Sequence, residues 1–324
     1  MYDIVSIGDA TVDVFLQINE ASVMCEIQAE QCQLCLNYAD KIPVEGISRV
    51  PGAGNASNNA VGSARIGMKA AVWSILGDDD VGHDILAHWK KEKVDTRHAL
   101  FDRKRGTNYS TVLNFKGERT ILVYHEKRDY KFPVTLDGAK WVYYTSLGKG
   151  SEKLHRPLLR YVKKAGAKLV FNPGTFQLKL GNDRLQPLIA ASELTIVNKQ
   201  EAERLVGDET PSIKALLLRL KALGCRLAVI TDGEHGSFAY DGAKYWQLGI
   251  FDVPVIERTG CGDSYATAMV AALHFGLDLP EAMRWGTGNA ASVIGKIGPQ
   301  AGLLKRTEME KMLKRFAKVK AREI

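Results

Sequence analysis

Thr259, Gly260, Cys261, Gly262 and Asp263 stand in a row, followed by the proline-free run SYATAMVAAL. Glycines let backbone N–H groups point into a shared concavity, and a helix start adds the positive end of its dipole. Such a hole suits an anion whose charge grows in a transition state. A carboxylate at its rim can take the proton of an attacking hydroxyl. Phosphoryl transfer to an alcohol needs those two parts and little covalent help from the protein. Asp263 is the expected base; from this stretch alone, a plain helix cap accounts for it equally well.

Further polar residues follow apolar runs. Asp9 and Asp13 come after YDIVSIG, Asn198 after LTIV, and Thr231, Asp232 and Gly233 after RLAVI. Turns favour each of these residues singly. Their joint occurrence at strand ends is informative, because open α/β sheets bind ligands beyond the carboxyl ends of their strands.

The elements that must position them alternate. YDIVSI, AAVWSIL, WVYYTSL, AKLVF, LTIVN and RLAVIT read as buried strands. NASNNAVGSARIGM, DDVGHDILAHWKKEKV, SEKLHRPLLRYVKKAG, RLQPLIAAS and PSIKALLLRLKALG carry helical patterns. Val81, Ile85, Leu86 and Trp89 share one helix face, and Asn55 or a residue next to it is the expected cap of the helix NASNNAVGSARIGM. NYSTVLNF and RTILVYHE, separated by KGE, form a hairpin, as do GSFAYDG and KYWQLGI. The last third is mostly helical. The expected fold is α/β: one domain over 1–324, with a doubly wound, mainly parallel sheet flanked by helices. A small β-rich lid would come from about 14–50 and 101–131.

Bulk properties narrow the partners. The chain has 324 residues, 45% hydrophobic and 25% charged, with a formal net charge of +7. Lysines and arginines are dispersed among acids and no nucleic-acid signature accompanies them, so no nucleic acid is expected. A basic balance would help attract an anionic ligand such as ATP. No apolar run approaches membrane-spanning length, and MYDIVSIGDATVDVF reads as a buried strand rather than a signal segment. Five cysteines, an odd count, suggest reduced thiols and a cytoplasmic chain. In CEIQAEQCQLC, packing is the expected role of Cys25, Cys32 and Cys35. A zinc site, or a redox pair of Cys32 with Cys35, is a minor alternative.

Four motifs together make the chain resemble the ribokinase-like (PfkB) carbohydrate kinases over essentially its whole length. They are AGNASNNA with ILGDDDVG, NKQE at 198–201, TDGEHG at 231–236, and ERTGCGD at 257–263. The resemblance implies a ribokinase-like fold and an ATP- and Mg²⁺-dependent sugar kinase. Asp263 would be the base, and Gly260, Cys261 and Gly262 would supply the backbone anion hole. Asn198 and Glu201 would organise Mg²⁺ and phosphate largely through water, although a helix cap with a back-bonding acid explains both. Thr231, Gly233, Gly236 and Thr259 would line the nucleotide side. Asn289 would flank adenine, unless it is a buried helix-packing residue. Asp13, Gly54, Asn55 and Asn58 would hold the sugar, with an N-cap and a surface helix residue as the plain readings of the two asparagines. The lid would exclude water, and copies of it could form a homodimer.

Three departures from the family pattern stand out. Ala53 replaces a glycine, which restricts the turn to negative φ. Glu257 and Arg258 replace the usual Asp-Thr, so dependence on a monovalent cation is doubtful and Arg258 is the candidate substitute charge. The cysteine-bearing stretch falls within the lid. Tyr109, Asn114, Arg119 and Tyr124 are candidates for choosing the sugar. A nucleoside kinase of the same fold and a catalytically silent sugar- or nucleotide-binding regulator remain as alternatives. Retention of Asp263 between its glycines and the helix argues against the regulator. A dehydrogenase fails, because no GxGxxG follows the first strand.

Overall fold

The computed structural model describes residues 1–25, 32–133, 136–207 and 212–324. Ten strands form the central sheet. From one edge these are β7 (Ala99–Asp102), β6 (Ala70–Gly77), β1 (Tyr2–Ile7), β10 (Ala139–Tyr144) and β11 (Lys168–Phe171). Next come β12 (Ser192–Asn198), β13 (Leu227–Thr231), β14 (Ser237–Tyr240), β15 (Tyr245–Leu248) and β16 (Arg322–Glu323). Pairing is parallel from β7 to β13 and antiparallel beyond it.

Buried strands read as apolar runs because both faces are covered. Val5 sits between Ala71 of β6 and Val142 of β10. Val5 and Ile7 enter the core on one face, and Ile4 enters the other. The first face carries α3 (His155–Ala165), α5 (Asn182–Ala190), α6 (Lys199–Val206) and α7 (Ile213–Ala222), through Leu158, Leu188, Leu205 and Leu216. The second carries α1 (Asn55–Ile66), α8 (Cys261–His274), α9 (Leu279–Ile294) and α10 (Arg306–Arg315). Helix α2 (Asp80–Lys91) packs Ile85 and Trp89 inward, and α4 (Thr175–Leu178) is a single turn. Along α8 every residue from Asp263 to Ala272 is buried, so small side chains let it wedge between neighbours.

From β1 the chain moves to β6 and β7, then returns to lay β10 on the other side of β1. That reversal opens a crevice at the carboxyl ends of β1 and β10. Over it lies a second sheet, ordered β5 (Val44–Ala53), β2 (Thr11–Ile18), β8 (Asn108–Phe115) and β9 (Glu118–Tyr124). Strands β2 and β8 run parallel and the outer pairs antiparallel. Lys116 and Gly117, with φ of 50° and 82°, make the tight turn that joins β8 to β9.

Two expectations are sharpened and one, on the cysteines, changes. Gly54, not Asn55, is the cap of α1; it takes φ 95°, and a Cβ there would lie 2.8 Å from the Asp9 carbonyl oxygen. Ala53 stays outside the left-handed region, because its glycine neighbour makes the turn. The cysteines are not all reduced. Cys25 ends β3 (Ser22–Cys25) opposite Cys32 of β4 (Cys32–Cys35), with Cα atoms 4.2 Å apart, and the two form a disulfide. Cross-strand pairing, not the CxxC spacing, selects the partner. Among the described residues no three His, Cys, Asp or Glu side chains are placed to hold a metal. Residues 26–31 of the expected lid and of the cysteine cluster lie outside the described residues.

Candidate active site

Beneath the small sheet, a cleft of about 980 Å³ occupies the crevice. Helix α8 delivers its first turn into it. Gly260 caps that helix with φ 77°, and a Cβ there would meet Pro299 Cβ at 2.4 Å. A Cβ on Gly262 would meet no atom within 4 Å, so the helix start is open to the cleft. Among the described residues the N–H groups of Gly262 and Asp263 have no carbonyl acceptor, as at any helix start. Cys261 differs from expectation here: its N–H turns to the Arg258 carbonyl at 3.4 Å. Burial pushes its thiol up to about 11, so the side chain is a neutral wall.

Asp263 is 9% exposed, and its Oδ2 accepts a hydrogen bond from Asn58 Nδ2 at 2.8 Å. Burial raises its pKa to about 6, and the Asn58 donation pulls the other way. Asn58 is buried, not a surface residue, and its own oxygen accepts from Gln300 Nε2 at 2.9 Å. Next to it, Asn59 bridges the Ser6 hydroxyl of β1 and Thr267 of α8, which fixes α1 between them. Asp13 comes from β2. Burial raises its pKa to about 7; the Ser110 hydroxyl opposes the rise, while the charges of Asp263 and Glu257 add to it.

The other expected residues divide. Gly54, Asn55, Asn198, Thr231, Gly233, Gly236 and Thr259 line the cleft with Asp13, Asn58 and the α8 start. Asn198 and Glu201 form a capping box: Asn198 Oδ1 accepts from the Glu201 N–H at 2.8 Å, and Glu201 Oε2 from the Asn198 N–H at 2.9 Å. Glu201 stands behind Asn198 rather than in the cleft lining, and burial raises its pKa. Asn289 takes the second of its two expected readings, the buried helix-packing residue. It is fully buried, donates to the Ser264 carbonyl at 2.8 Å and accepts from the Leu304 N–H at 3.0 Å. Both ends of its amide are thus taken by backbone, and its neighbours Ala290, Ala291 and Ile294 line the cleft with Phe251 and Val253.

Around Glu257 the structure adds a cation, Arg119, that the sequence offered only as a candidate for choosing the sugar. Glu257 is buried, accepts from the Thr259 N–H at 2.6 Å and from the Gly298 N–H at 3.2 Å, and lies 3.9 Å from Arg119 Nε of β9. Arg258 is half-exposed and reaches Glu118 at 3.7 Å. Of the four candidates for choosing the sugar, only Arg119 lines the cleft; Ile121, Val123 and His125 join it. Alternation along RTILVYH puts every second residue on the cleft side, a signal the sequence did carry.

The chain belongs to the pfkB family of carbohydrate kinases, whose family profile matches residues 18–306. It is 28% identical over 262 residues to 5-dehydro-2-deoxygluconokinase of Shouchella clausii (strain KSM-K16), covering 75% of this chain and 80% of that protein. The protein of the same name from Bacillus subtilis (strain 168) is 26% identical over 284 residues, covering 80% and 86%. The structure of Arabidopsis thaliana ribokinase complexed with ribose and ATP superposes with a TM-score of 0.78 at 20% identity, covering 97% of this chain and 99% of that one. Methanocaldococcus jannaschii nucleoside kinase gives 0.75 at 19% identity, with the same coverages. These likenesses establish a ribokinase fold and a carbohydrate kinase. No helix among the described residues is long and apolar enough to cross a membrane.

Proposed function

We propose that this chain transfers the γ-phosphoryl group of ATP to a hydroxymethyl oxygen of a small sugar, ribose- or fructose-like, with Asp263 as the base. The observation that carries the reading is the buried Asp263 carboxylate, held by Asn58 beside the open first turn of α8. Asp263 takes the hydroxyl proton as the oxygen attacks, while the N–H groups of Gly262 and Asp263 receive the charge of the terminal phosphate. Asp13, Gly54, Asn55 and Asn58 hold the acceptor; a carboxylate accepts two hydroxyl hydrogen bonds. Thr231, Gly233, Gly236 and Thr259 form the nucleotide side.

Mg²⁺ fits these residues only as an ion carried on phosphate. No all-protein cage exists among the described residues, and Mg²⁺ keeps several waters. Asn198 and Glu201 would hold it through water, and when bound it would neutralise phosphate charge. The small sheet is read as the lid of one catalytic domain spanning 1–324, placed to exclude water that would compete as acceptor. Arg119 and Arg258 supply positive charge near Glu257, so K⁺ is not needed. A cytoplasmic chain acting as a homodimer through the lid completes the proposal.

The relatives are named for a sugar acid, whereas carboxylates line the acceptor side of this cleft. A nucleoside acceptor is the second reading, favoured by the apolar wall of Ile121, Val123 and Phe176. One experiment separates these: ADP release across pentoses, hexoses, sugar acids, sugar phosphates and nucleosides, in Na⁺ with and without K⁺. Asp263→Asn should lose about 10²- to 10⁴-fold in kcat on the best acceptor. Near-normal turnover by that variant would falsify the base assignment, and clear stimulation by K⁺ would sink the arginine substitution.

A further inference from the structure

One carboxylate in the cleft has no part in the proposed transfer. Asp9 follows β1 and is 4% exposed. Its Oδ2 accepts from the Tyr130 hydroxyl at 2.7 Å and from the Gly148 N–H at 2.8 Å. Those donors lie on segments following β9 and β10, so the carboxylate is anchored from two sides. Asp9 lines the cleft, yet its Oδ1 is buried with no hydrogen-bond partner among the described residues. His125, just past β9, brings Nδ1 to 3.6 Å from Asp9 Oδ2, and that nitrogen also lacks a hydrogen-bond partner. Phe176 packs edge-on against the imidazole, 5.4 Å between ring centroids. A buried acceptor left unmatched is costly, and a ligand donor would remove the cost.

Charge in the cleft is also sorted by place. The two arginines that line it stand next to Glu257 and Glu118, near the start of α8. Asp9 meets no lysine or arginine among the described residues; its partners are Tyr130, Gly148 and His125.

We propose that Asp9 is a specificity-determining residue for the end of the acceptor farthest from the phosphorylated hydroxyl. Its free oxygen accepts a hydrogen bond from a neutral hydroxyl there, beside His125, and it turns away acceptors that carry a carboxylate at that end. The inference rests on the sugar-kinase reading and deepens it: the acceptor class is a neutral polyol, not a sugar acid.

The test compares wild type with Asp9→Asn on matched pairs, D-ribose against D-ribonate and D-glucose against D-gluconate. ADP release and calorimetric titration are the two readouts. The asparagine keeps an oxygen for Tyr130 and Gly148 and places an N–H donor where the free acceptor stood. Like charges brought together cost several kcal/mol, so wild type should favour the neutral member by about 100-fold or more in kcat/KM. Asp9→Asn should narrow that ratio about tenfold, through KM, with kcat on the neutral sugar little changed. His125→Ala leaves both anchoring hydrogen bonds of Asp9 in place. It should raise KM for the neutral sugar and keep the exclusion of acids, which guards against misfolding of the first variant. A wild-type preference for the acid, or a ratio that Asp9→Asn leaves unmoved, overturns the assignment of Asp9. Binding of the neutral member without any ADP release overturns the kinase reading alone, and absence of both binding and release overturns the two together.

Discussion

The base role proposed for Asp263 requires an ionised carboxylate, and its surroundings decide when that is the case. Burial raises its pKa to about 6, against the pull of the Asn58 hydrogen bond. The value of kcat/KM should therefore climb with pH and level off above about 6. Asn58→Ala removes a donor to the charged form, worth about 1.5–3 kcal/mol, and should move that acid limb upward by about one pH unit or more. Initial-rate pH profiles of the two proteins check this, and an unmoved limb counts against Asp263 as the titrating group. Linkage runs the other way for stability. A carboxylate whose pKa is raised on folding contributes fully below about pH 4, and its contribution is lost as pH rises through about 6. Asp263→Asn should thus raise the urea midpoint at pH 8 and leave it little changed at pH 4.

At the scale of elements, the start of α8 makes two glycines do different work. Gly260 holds φ 77° against Pro299, whereas Gly262 is helical and faces open space. Gly260→Ala should lower stability by about 1–3 kcal/mol through backbone strain, with the clash added. Gly262→Ala should leave stability equal or slightly higher, since alanine is favoured over glycine in a helix by about 1 kcal/mol. Its methyl would nevertheless occupy the space before the amides, and kcat should fall about 10²-fold or more. Melting curves with kcat for both variants give the comparison; full activity in Gly262→Ala would remove the anion hole from the mechanism. Helix α6 was only half visible in advance. NKQE carried its capping box, but QEAERLV was too short and polar to stand out as a helix.

For the molecule as a whole, the small sheet matters twice. Its inner side supplies Arg119, Ile121, Val123 and His125 to the cleft, and β9 is its outer strand with an unpaired edge. Leu122 and Tyr124 of β9 are 56% and 58% exposed. An open edge with exposed apolar residues is a pairing surface that monomeric proteins usually blunt. If copies of this chain pair there, Leu122→Asp should be monomeric where wild type is a dimer in light scattering. Wild type with the mass of one chain at high micromolar concentration would remove the lid interface from the proposal.

Much was determined by local order along the chain. Alternating apolar runs dictate the sheet and helices, the glycine turns mark the strand ends that border the cleft, and Thr259–Asp263 announces the helix start that opens into it. Contacts between distant segments are not written in any one of them. Gln300 orients Asn58 from far along the chain, Arg119 meets Glu257 across the cleft, and the Asn289 amide is spent on backbone. Cys25 finds Cys32 because a ribbon brings them opposite each other, and Asp9 is left with one free oxygen because Tyr130 and Gly148 claim the other. Periodicity and turn chemistry act over a few residues and can be read from them. Partner choice depends on the packed geometry of segments far apart in the chain, and only the tertiary structure decides it.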